Sequence, residues 1–196
     1  MCGIAGIFDL RQQREPDREL LAAMNQTQFH RGPDEGGLHT EPGLGLAHRR
    51  LSIIDLASGQ QPMFSADGNI CVSYNGEIYN FQELMQELRS LGYQFRTHCD
   101  TEVILYAWQA WGAECVHRFR GMFAFGLYDR AARRLFLARD RFGIKPLFYS
   151  VLPDGQLIFG SELKVLKAHP QLSRQLEPRA VEDYFALGYV PEPKTI

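Results

Sequence analysis

The sequence predicts an α+β fold in which antiparallel sheets pack on each other and helices lie outside them. Strand-like runs open the chain, helical patterns follow, and further strand-like runs close it, without regular alternation of strand and helix. Short turns at "DRAARR" and "PDG" favour antiparallel pairing. The 196 residues are 45% hydrophobic with 18 glycines and 10 prolines, which is typical of a globular domain.

The predicted strands are short apolar runs bounded by turn residues. In the first half of the chain they cover Gly3 to Phe8, Gly45 to Ile54 and Ile70 to Tyr74. In the second half they are the runs "MFAFGLYD", "LFLAR", "PLFYSV" and "QLIFG". The two groups of strands flank the helical part of the chain.

Two helices are predicted between these groups of strands. The first follows Asn80, which has Glu83 three residues later in a capping-box pattern, and it ends at Gly92. The second begins near Asp100 and ends at Gly112, and its wide apolar face predicts burial. The run "ECVHRFR" predicts a short third helix.

The end of the sequence predicts a connection between domains. A helical turn in "SELKVLKAHP" and a capped helix in "EPRAVEDYFALG" precede the extended, proline-rich run "YVPEPKTI". We therefore expect a domain at residues 1–170. Residues 171–196 are expected to form a helix and linker that lead into a further C-terminal domain.

Charge and cysteine content exclude several classes of protein. The net charge of −2 and the lack of long like-charged runs argue against a nucleic-acid partner. The first apolar residues lack a basic leader and are soon followed by charged ones, so we expect a cytoplasmic protein without membrane contact. Four widely spaced cysteines without a C-x-x-C pair predict free thiols rather than a zinc site or disulfides.

Cys2 is the cysteine whose position suggests chemistry. Removal of Met1 would place a thiol and a free α-amine on one residue. An α-amine has a pKa of about 7.7 to 8.0, which suits a general base, and a thiol of pKa about 8.5 needs such a base. From this residue alone, a small buried core cysteine is the more frequent role.

Seven ordered blocks of the chain resemble the class II glutamine amidotransferases, which are N-terminal-nucleophile hydrolases. The blocks are "MCGIAGIFD", "HRGPDEGG", "HRRLSIIDLASGQQPM", "YNGEIYN", "CDTEVIL", "RGMFAFGLYD" and "ARDRFGIKPLFY". The resemblance implies a four-layer α-β-β-α sandwich of antiparallel sheets. Within the family, "RLSIID" followed by "QQP", and the terminal "YVPEPKTI", resemble the asparagine synthetase branch.

The resemblance implies a nucleophile and an oxyanion hole. Cys2 matches the nucleophile that attacks the carboxamide carbon of L-glutamine and forms a γ-glutamyl thioester. The side-chain amide of Asn75 and the backbone N–H of Gly76 match the donors that stabilise the oxyanion. An Asn-Gly pair is also a strong turn signal, and we expect these residues in a turn between a strand and a helix.

The resemblance also implies a clamp for both charged ends of glutamine. Arg50 matches the residue that binds the α-carboxylate, and strand alternation places Arg49 on the opposite face. Asp100 matches the residue that binds the α-ammonium group, with Glu77 as a second contact. Asp100 also stands where a helix N-cap is expected, so both roles stay open.

No catalytic role is assigned to Arg31–Asp34 or to Arg139–Pro146, which resemble family segments near the active-site cover and the domain boundary. The implied mechanism needs no histidine as a base, so we expect structural roles for His30, His48 and His98.

The resemblance implies no cofactor in this domain. ATP and Mg²⁺ are expected for a C-terminal synthetase domain of the same chain, and the sequence holds no phosphate-binding loop. Two alternatives stay open: an amidotransferase with a sugar, lipid or peptide-like acceptor, and a non-catalytic module of the same fold. Arg50, Glu77 and Asp100 argue against an unrelated amidase, because an acyl amide lacks the two charged ends that these residues would hold. The oligomeric state is also open, with a homodimer as one arrangement.

Overall fold

The computed structural model describes residues 1–11, 14–51, 59–192 and 194. Its strands are β1 (Gly3–Asp9), β2 (Glu35–Glu41), β3 (Leu44–Arg50), β4 (Met63–Phe64), β5 (Ile70–Ile78), β6 (Gly121–Asp129), β7 (Arg134–Arg139), β8 (Phe148–Val151) and β9 (Gln156–Gly160). Its α-helices are α1 (Arg18–Gln26), α2 (Phe81–Ser90), α3 (Asp100–Trp111), α4 (Leu163–Lys167) and α5 (Pro178–Leu187). Short 3₁₀ helices cover Phe29–Arg31 and Gly112–His117.

In the described residues, these strands form two antiparallel sheets. The first has the order β2-β3-β1-β9-β8, and the second has the order β4-β5-β6-β7. Strand β1 lies in the middle of the first sheet and is buried along its whole length. This central position fixes the direction in which the chain reaches Cys2.

Three apolar clusters show that the fold has four layers. One lies between the sheets and contains Ile4, Phe8, Leu44, Leu46, Cys71, Ala124, Tyr128 and Phe159. A second packs α2 and α3 against the outer face of the second sheet, and a third packs α1 and α4 against the first. The arrangement confirms the α+β class and the predicted α-β-β-α sandwich.

Strand β5 is longer than predicted, and its additional residues include two candidate site residues. The strand continues to Ile78, so Asn75 and Gly76 lie inside it and pair with Ala124 and Phe123 of β6. The predicted turn between strand and helix is therefore wrong. Long-range pairing with β6 decides the backbone conformation here, and this pairing overrides the local preference of Asn-Gly.

Asn80 stands at the N-cap position of α2, as predicted, but its side chain makes no capping bond. Its side-chain Nδ2 donates to Arg118 O at 3.0 Å, and its Oδ1 accepts from Arg120 N at 2.9 Å. The asparagine thus ties the start of α2 to the segment that enters β6.

The other predicted helices and strands are present with shifted ends. Helix α3 begins at Asp100, and α5 has Glu177 as its N-cap and Gly188 after its last turn, with φ of +80°. The predicted strand Gly45–Ile54 ends at Arg50, and its part from residue 52 onward lies outside the described residues, as does part of the proline-rich linker. Each helix in the described part of the chain is too short or too polar to span a bilayer.

Four elements of the described residues were missed in the sequence: α1, the 3₁₀ helix Phe29–Arg31, β2 and β4. Helix α1 is preceded in the sequence by Asp17, whose carboxylate accepts from Glu19 N at 2.8 Å and from Leu20 N at 3.1 Å. An aspartate at this position is a common N-cap. Strand β2 matters for the site because it carries Glu35 next to Arg50.

Candidate active site

All six predicted site residues line one cavity of about 110 Å³: Cys2, Arg50, Asn75, Gly76, Glu77 and Asp100. The cavity lies where the start of β1, the end of β3, the end of β5 and the start of α3 meet. The four-layer fold therefore brings together residues that are up to 98 positions apart in the chain.

Cys2 lies at the entry to β1 and is partly exposed. Its Sγ donates to Leu51 O across 3.7 Å. The other three cysteines are buried. Burial raises the pKa of Cys71 and of Cys115 to about 12 and also raises that of Cys99, so these thiols stay protonated. Exposure to the cavity thus distinguishes Cys2 from the other cysteines.

Arg31 holds the backbone of Cys2, a role that the sequence did not predict. Its Nε donates to the Cys2 carbonyl at 2.9 Å, and its Nη1 binds Glu162 Oε1 at 3.1 Å. The Arg31 side chain is only 9% exposed, and its buried Nη2 has no hydrogen-bond partner in the described residues. The arginine therefore fixes the residue that carries the nucleophile.

Asn75 presents an unpartnered donor to the cavity. The residue is 1% exposed, and its Nδ2 has no hydrogen-bond partner among the residues that the structure describes. A buried donor without a partner costs about 1–3 kcal/mol. The neighbouring Gly76 cannot carry a side chain, because a Cβ there would lie 2.3 Å from Met122 O. The pair can therefore serve a ligand that supplies the missing acceptor.

Arg50 is buried and already paired. It is 5% exposed, and its Nη1 binds Glu35 Oε2 at 3.0 Å. Arg49 lies on the opposite face of β3, as predicted, where its guanidinium stacks 4.9 Å from the centre of the Phe29 ring and donates to Gln26. The chain thus supplies one guanidinium to the cavity and one to the outer surface of the sheet.

His48 supports the cavity from behind. Its Nε2 donates to Tyr74 O at 3.0 Å, and its own backbone carbonyl accepts from Asn25 Nδ2 at 3.1 Å. Burial lowers the pKa of His48 to about 4. The hydrogen bond to the Tyr74 carbonyl opposes this decrease, and the nearby positive charge of Arg50 adds to it. A neutral, buried histidine with these bonds agrees with the predicted structural role.

Asp100 faces the cavity from the start of α3 and does not cap the helix. Its Oδ2 accepts from the Tyr74 hydroxyl at 2.6 Å and from Ile78 N at 3.0 Å. Burial raises the pKa of Asp100, although these two hydrogen bonds oppose the increase. The N-cap alternative is therefore wrong, and the carboxylate is bound to β5 instead. Glu77 adds a second carboxylate on the same side of the cavity.

Lys145 is a further cavity residue that sequence reasoning missed. It is 5% exposed, and its Nζ lies 3.4 Å from Met1 Sδ. The Asp140 carboxylate fixes its loop by accepting from the backbone N–H groups of Phe123, Phe142, Ile144 and Lys145. The sequence offered no signal for this role, because the two residues in contact are 144 positions apart in the chain.

Comparison with known proteins identifies the family of this chain. The family described as "Glutamine amidotransferase domain" matches residues 1–196. The chain is 41% identical over 198 residues to "Asparagine synthetase [glutamine-hydrolyzing] 1" of Bacillus subtilis (strain 168), a match that covers 100% of this chain and 31% of that protein. It is 38% identical over 217 residues to "Putative asparagine synthetase [glutamine-hydrolyzing] 2" of Methanocaldococcus jannaschii, covering 100% of this chain and 41% of the other.

A solved structure shares the fold. Glutamine phosphoribosylpyrophosphate amidotransferase from B. subtilis, complexed with ADP and GMP, matches with a TM-score of 0.67 over 85% of this chain and 43% of that chain. The sequence identity is 20%, so this likeness concerns the fold alone. The chain spans about a third of the length of the first curated relatives that it matches.

Proposed function

Because the chain belongs to the glutamine amidotransferase domain family, we propose that its cavity hydrolyses L-glutamine to glutamate and ammonia through a thioester on Cys2. The observation that carries this proposal is the unpartnered, buried amide of Asn75 in the same cavity as the Cys2 thiol. A nucleophile beside a donor that lacks an acceptor is the arrangement that acyl transfer needs.

The first half of the reaction requires removal of Met1. The freed α-amine of Cys2 takes the thiol proton, and Sγ attacks the carboxamide carbon of glutamine. The tetrahedral intermediate then collapses, the carbon–nitrogen bond breaks, and the leaving nitrogen takes the proton held by the α-amino group of Cys2 and departs as ammonia. This amine next takes a proton from water, whose oxygen attacks the thioester carbon. The carbon–sulfur bond breaks, glutamate is released, and the amine returns the proton to the thiolate. Arg31 supports these steps by holding the carbonyl of Cys2.

The oxyanion of both intermediates is assigned to Asn75 and Gly76. The Asn75 Nδ2 donates to it from the side chain, and Gly76 donates from its backbone N–H. In the resting protein the buried Asn75 amide lacks an acceptor, which destabilises that state. It gains a hydrogen bond when negative charge develops on the substrate oxygen, so it stabilises the intermediate more than the ground state. Removal of one such donor slows acyl transfer by about 10²–10³-fold.

The charged residues of the cavity are assigned to the two ends of glutamine. Arg50 binds the α-carboxylate through its planar guanidinium, and Asp100 binds the α-ammonium group with Glu77 as a second contact. A plain acyl amide lacks both charges and would make no ionic contact with Arg50, Asp100 or Glu77. This pairing supports glutamine over the substrates of an unrelated amidase.

The use of the ammonia is proposed from the relatives. The chain spans 31% of a protein named as a glutamine-hydrolysing asparagine synthetase, which supports a C-terminal synthetase domain that binds ATP and Mg²⁺ and forms asparagine. An acceptor other than aspartate remains the alternative. The boundary between residues 1–170 and 171–196, a homodimer and a cytoplasmic location remain predictions.

The decisive experiment combines intact mass with activity. We expect the purified protein to lack Met1, and we expect Cys2→Ala to abolish glutamate release from glutamine. Cys115→Ala is the matched control, because it removes a buried thiol outside the cavity and should leave glutamate release unchanged. Undiminished activity of the Cys2→Ala variant would overturn the mechanism. A wild-type protein that has lost Met1 and still releases no glutamate would indicate a non-catalytic module.

A further inference from the structure

We propose that Tyr74 is a positioning residue whose hydroxyl holds the Asp100 carboxylate in the orientation that receives the α-ammonium group of the substrate. The inference rests on the proposed glutamine hydrolysis and extends it to the selection of α-amino substrates. Tyr74 carries no charge and stands outside the proposed chemical steps. Its effect on the substrate passes through Asp100.

Tyr74 is fixed at three points. Its backbone N donates to Gln61 Oε1 at 2.6 Å, its carbonyl accepts from His48 Nε2 at 3.0 Å, and its hydroxyl donates to Asp100 Oδ2 at 2.6 Å. The residue is 3% exposed and packs in the cluster between the second sheet and α3. A buried ring held in this way can move little, so its hydroxyl defines one position for the carboxylate.

The bonds to Asp100 leave its second oxygen for a ligand. Tyr74 and Ile78 both lie on β5, and both donate to Oδ2. Oδ1 is therefore the oxygen that can accept from an ammonium group in the cavity. The phenol donates to an ionised acceptor at a short distance, which is the geometry of a strong, charge-assisted bond.

The start of α3 provides an independent reason for this assignment. An aspartate in the first turn of a helix favours bonds to the free backbone N–H groups there. Asp100 is the first residue of α3, and its carboxylate accepts from its own backbone N–H besides the two bonds from β5. Without the Tyr74 hydroxyl, the carboxylate would turn towards the N–H groups of the helix and away from the cavity. The hydroxyl therefore competes with the start of α3 for the carboxylate and keeps it facing the substrate.

A purely structural role for the hydroxyl makes a different prediction. A buried hydroxyl needs a partner, and the Asp100 carboxylate supplies one. If the bond served stability alone, Tyr74→Phe would lower the melting temperature and affect all ligands of the cavity alike. A positioning role confines the loss to ligands that carry an α-ammonium group.

The experiment compares Tyr74→Phe, Asp100→Asn and the double variant of the protein. We expect Tyr74→Phe to raise the KM for L-glutamine about tenfold, because the variant loses the charge-assisted bond that orients Asp100, while kcat stays within about twofold. In the Asp100→Asn background, the tyrosine substitution should add nothing. L-glutamate and glutarate differ only in the amino group. The ratio of the inhibition constant of glutarate to that of L-glutamate should therefore fall about tenfold in Tyr74→Phe.

The control variant is Tyr128→Phe. Tyr128 is also a buried tyrosine of the second sheet, but it packs between the sheets and away from the cavity. It should leave the KM for glutamine and the ratio of the two inhibition constants unchanged.

Four results would overturn the inference. Three concern Tyr74→Phe: equal weakening of L-glutamate and glutarate binding, a defect in kcat alone, or full additivity with Asp100→Asn. The fourth is an unchanged KM in Asp100→Asn, which would also overturn the assignment of Asp100 to the α-ammonium group. Glutamine hydrolysis itself is judged separately, by the Cys2→Ala measurement. Failure of the positioning role is therefore distinguishable from failure of the proposed function.

Discussion

The two sides of the cavity differ in how their polar groups are satisfied before a substrate arrives. Around Cys2, donors are left open: in the described residues Asn75 Nδ2 and Arg31 Nη2 have no partner. On the charged side, the groups are already bound, Arg50 to Glu35 and Asp100 to Tyr74. The open side can respond to charge that appears only during the reaction, whereas the bound side offers fixed charges to the substrate's unreactive end.

This difference predicts that substitutions on the two sides affect different kinetic constants. Loss of a group that acts only on the intermediate lowers kcat, and loss of a group that holds the unreactive end raises KM. The largest effect short of removing the nucleophile is expected on the open side.

For Asn75→Ala we expect kcat to fall about 10²–10³-fold with little change in KM. Because Nδ2 has no partner, the substitution removes no side-chain donor bond, and urea unfolding should show almost unchanged stability. Steady-state glutamate release and a denaturation curve check both statements. A raised KM with unchanged kcat would erase the distinction between the two sides.

For Arg50→Lys we expect a KM for glutamine that is about tenfold to a hundredfold higher, with kcat nearly unchanged. Lysine keeps the charge but cannot offer the planar, two-pronged donor set. The matched control is Arg49→Lys on the opposite face of the same strand, which should leave KM unchanged. A kcat defect in Arg50→Lys would place the residue on the reacting side instead.

The smallest expected effect concerns His48, which supports the bound side through the Tyr74 carbonyl. Its pKa is about 4 in the folded protein and about 6.5 when unfolded, so the unfolded chain binds the proton first as the pH falls. Stability from this group is complete above about pH 6.5 and declines towards pH 4, with a loss of about 1 kcal/mol at pH 5.5.

His48→Gln keeps a donor for Tyr74 O but cannot titrate. The difference in unfolding free energy between pH 7.5 and pH 5.5 should therefore be about 1 kcal/mol smaller in this variant than in the wild type. Urea unfolding at the two pH values measures it. Identical pH dependence in the two proteins would contradict a buried, neutral His48.

The order of strand and helix patterns was enough to predict the fold class, and the seven blocks identified residues that meet in one cavity. Local rules failed where long-range contacts decide the structure. The Asn75-Gly76 pair lies in a strand because β6 pairs with it, and the carboxylate of Asp100, the first residue of α3, is bound by Tyr74 of β5. Arg31 and Lys145 were missed because their contacts join distant parts of the chain, which no spacing rule reveals.

The contact between Met1 and Lys145 has a practical consequence for anyone who produces this protein. Met1 lines the cavity, and its backbone keeps the nitrogen of Cys2 in an amide that cannot accept a proton. If Cys2 acts as proposed, a purification tag or fusion partner placed before it would give a folded protein that does not hydrolyse glutamine. Affinity tags therefore belong at the C-terminal end. Preparations from hosts that remove the initiator methionine incompletely would be mixtures of inactive and active molecules.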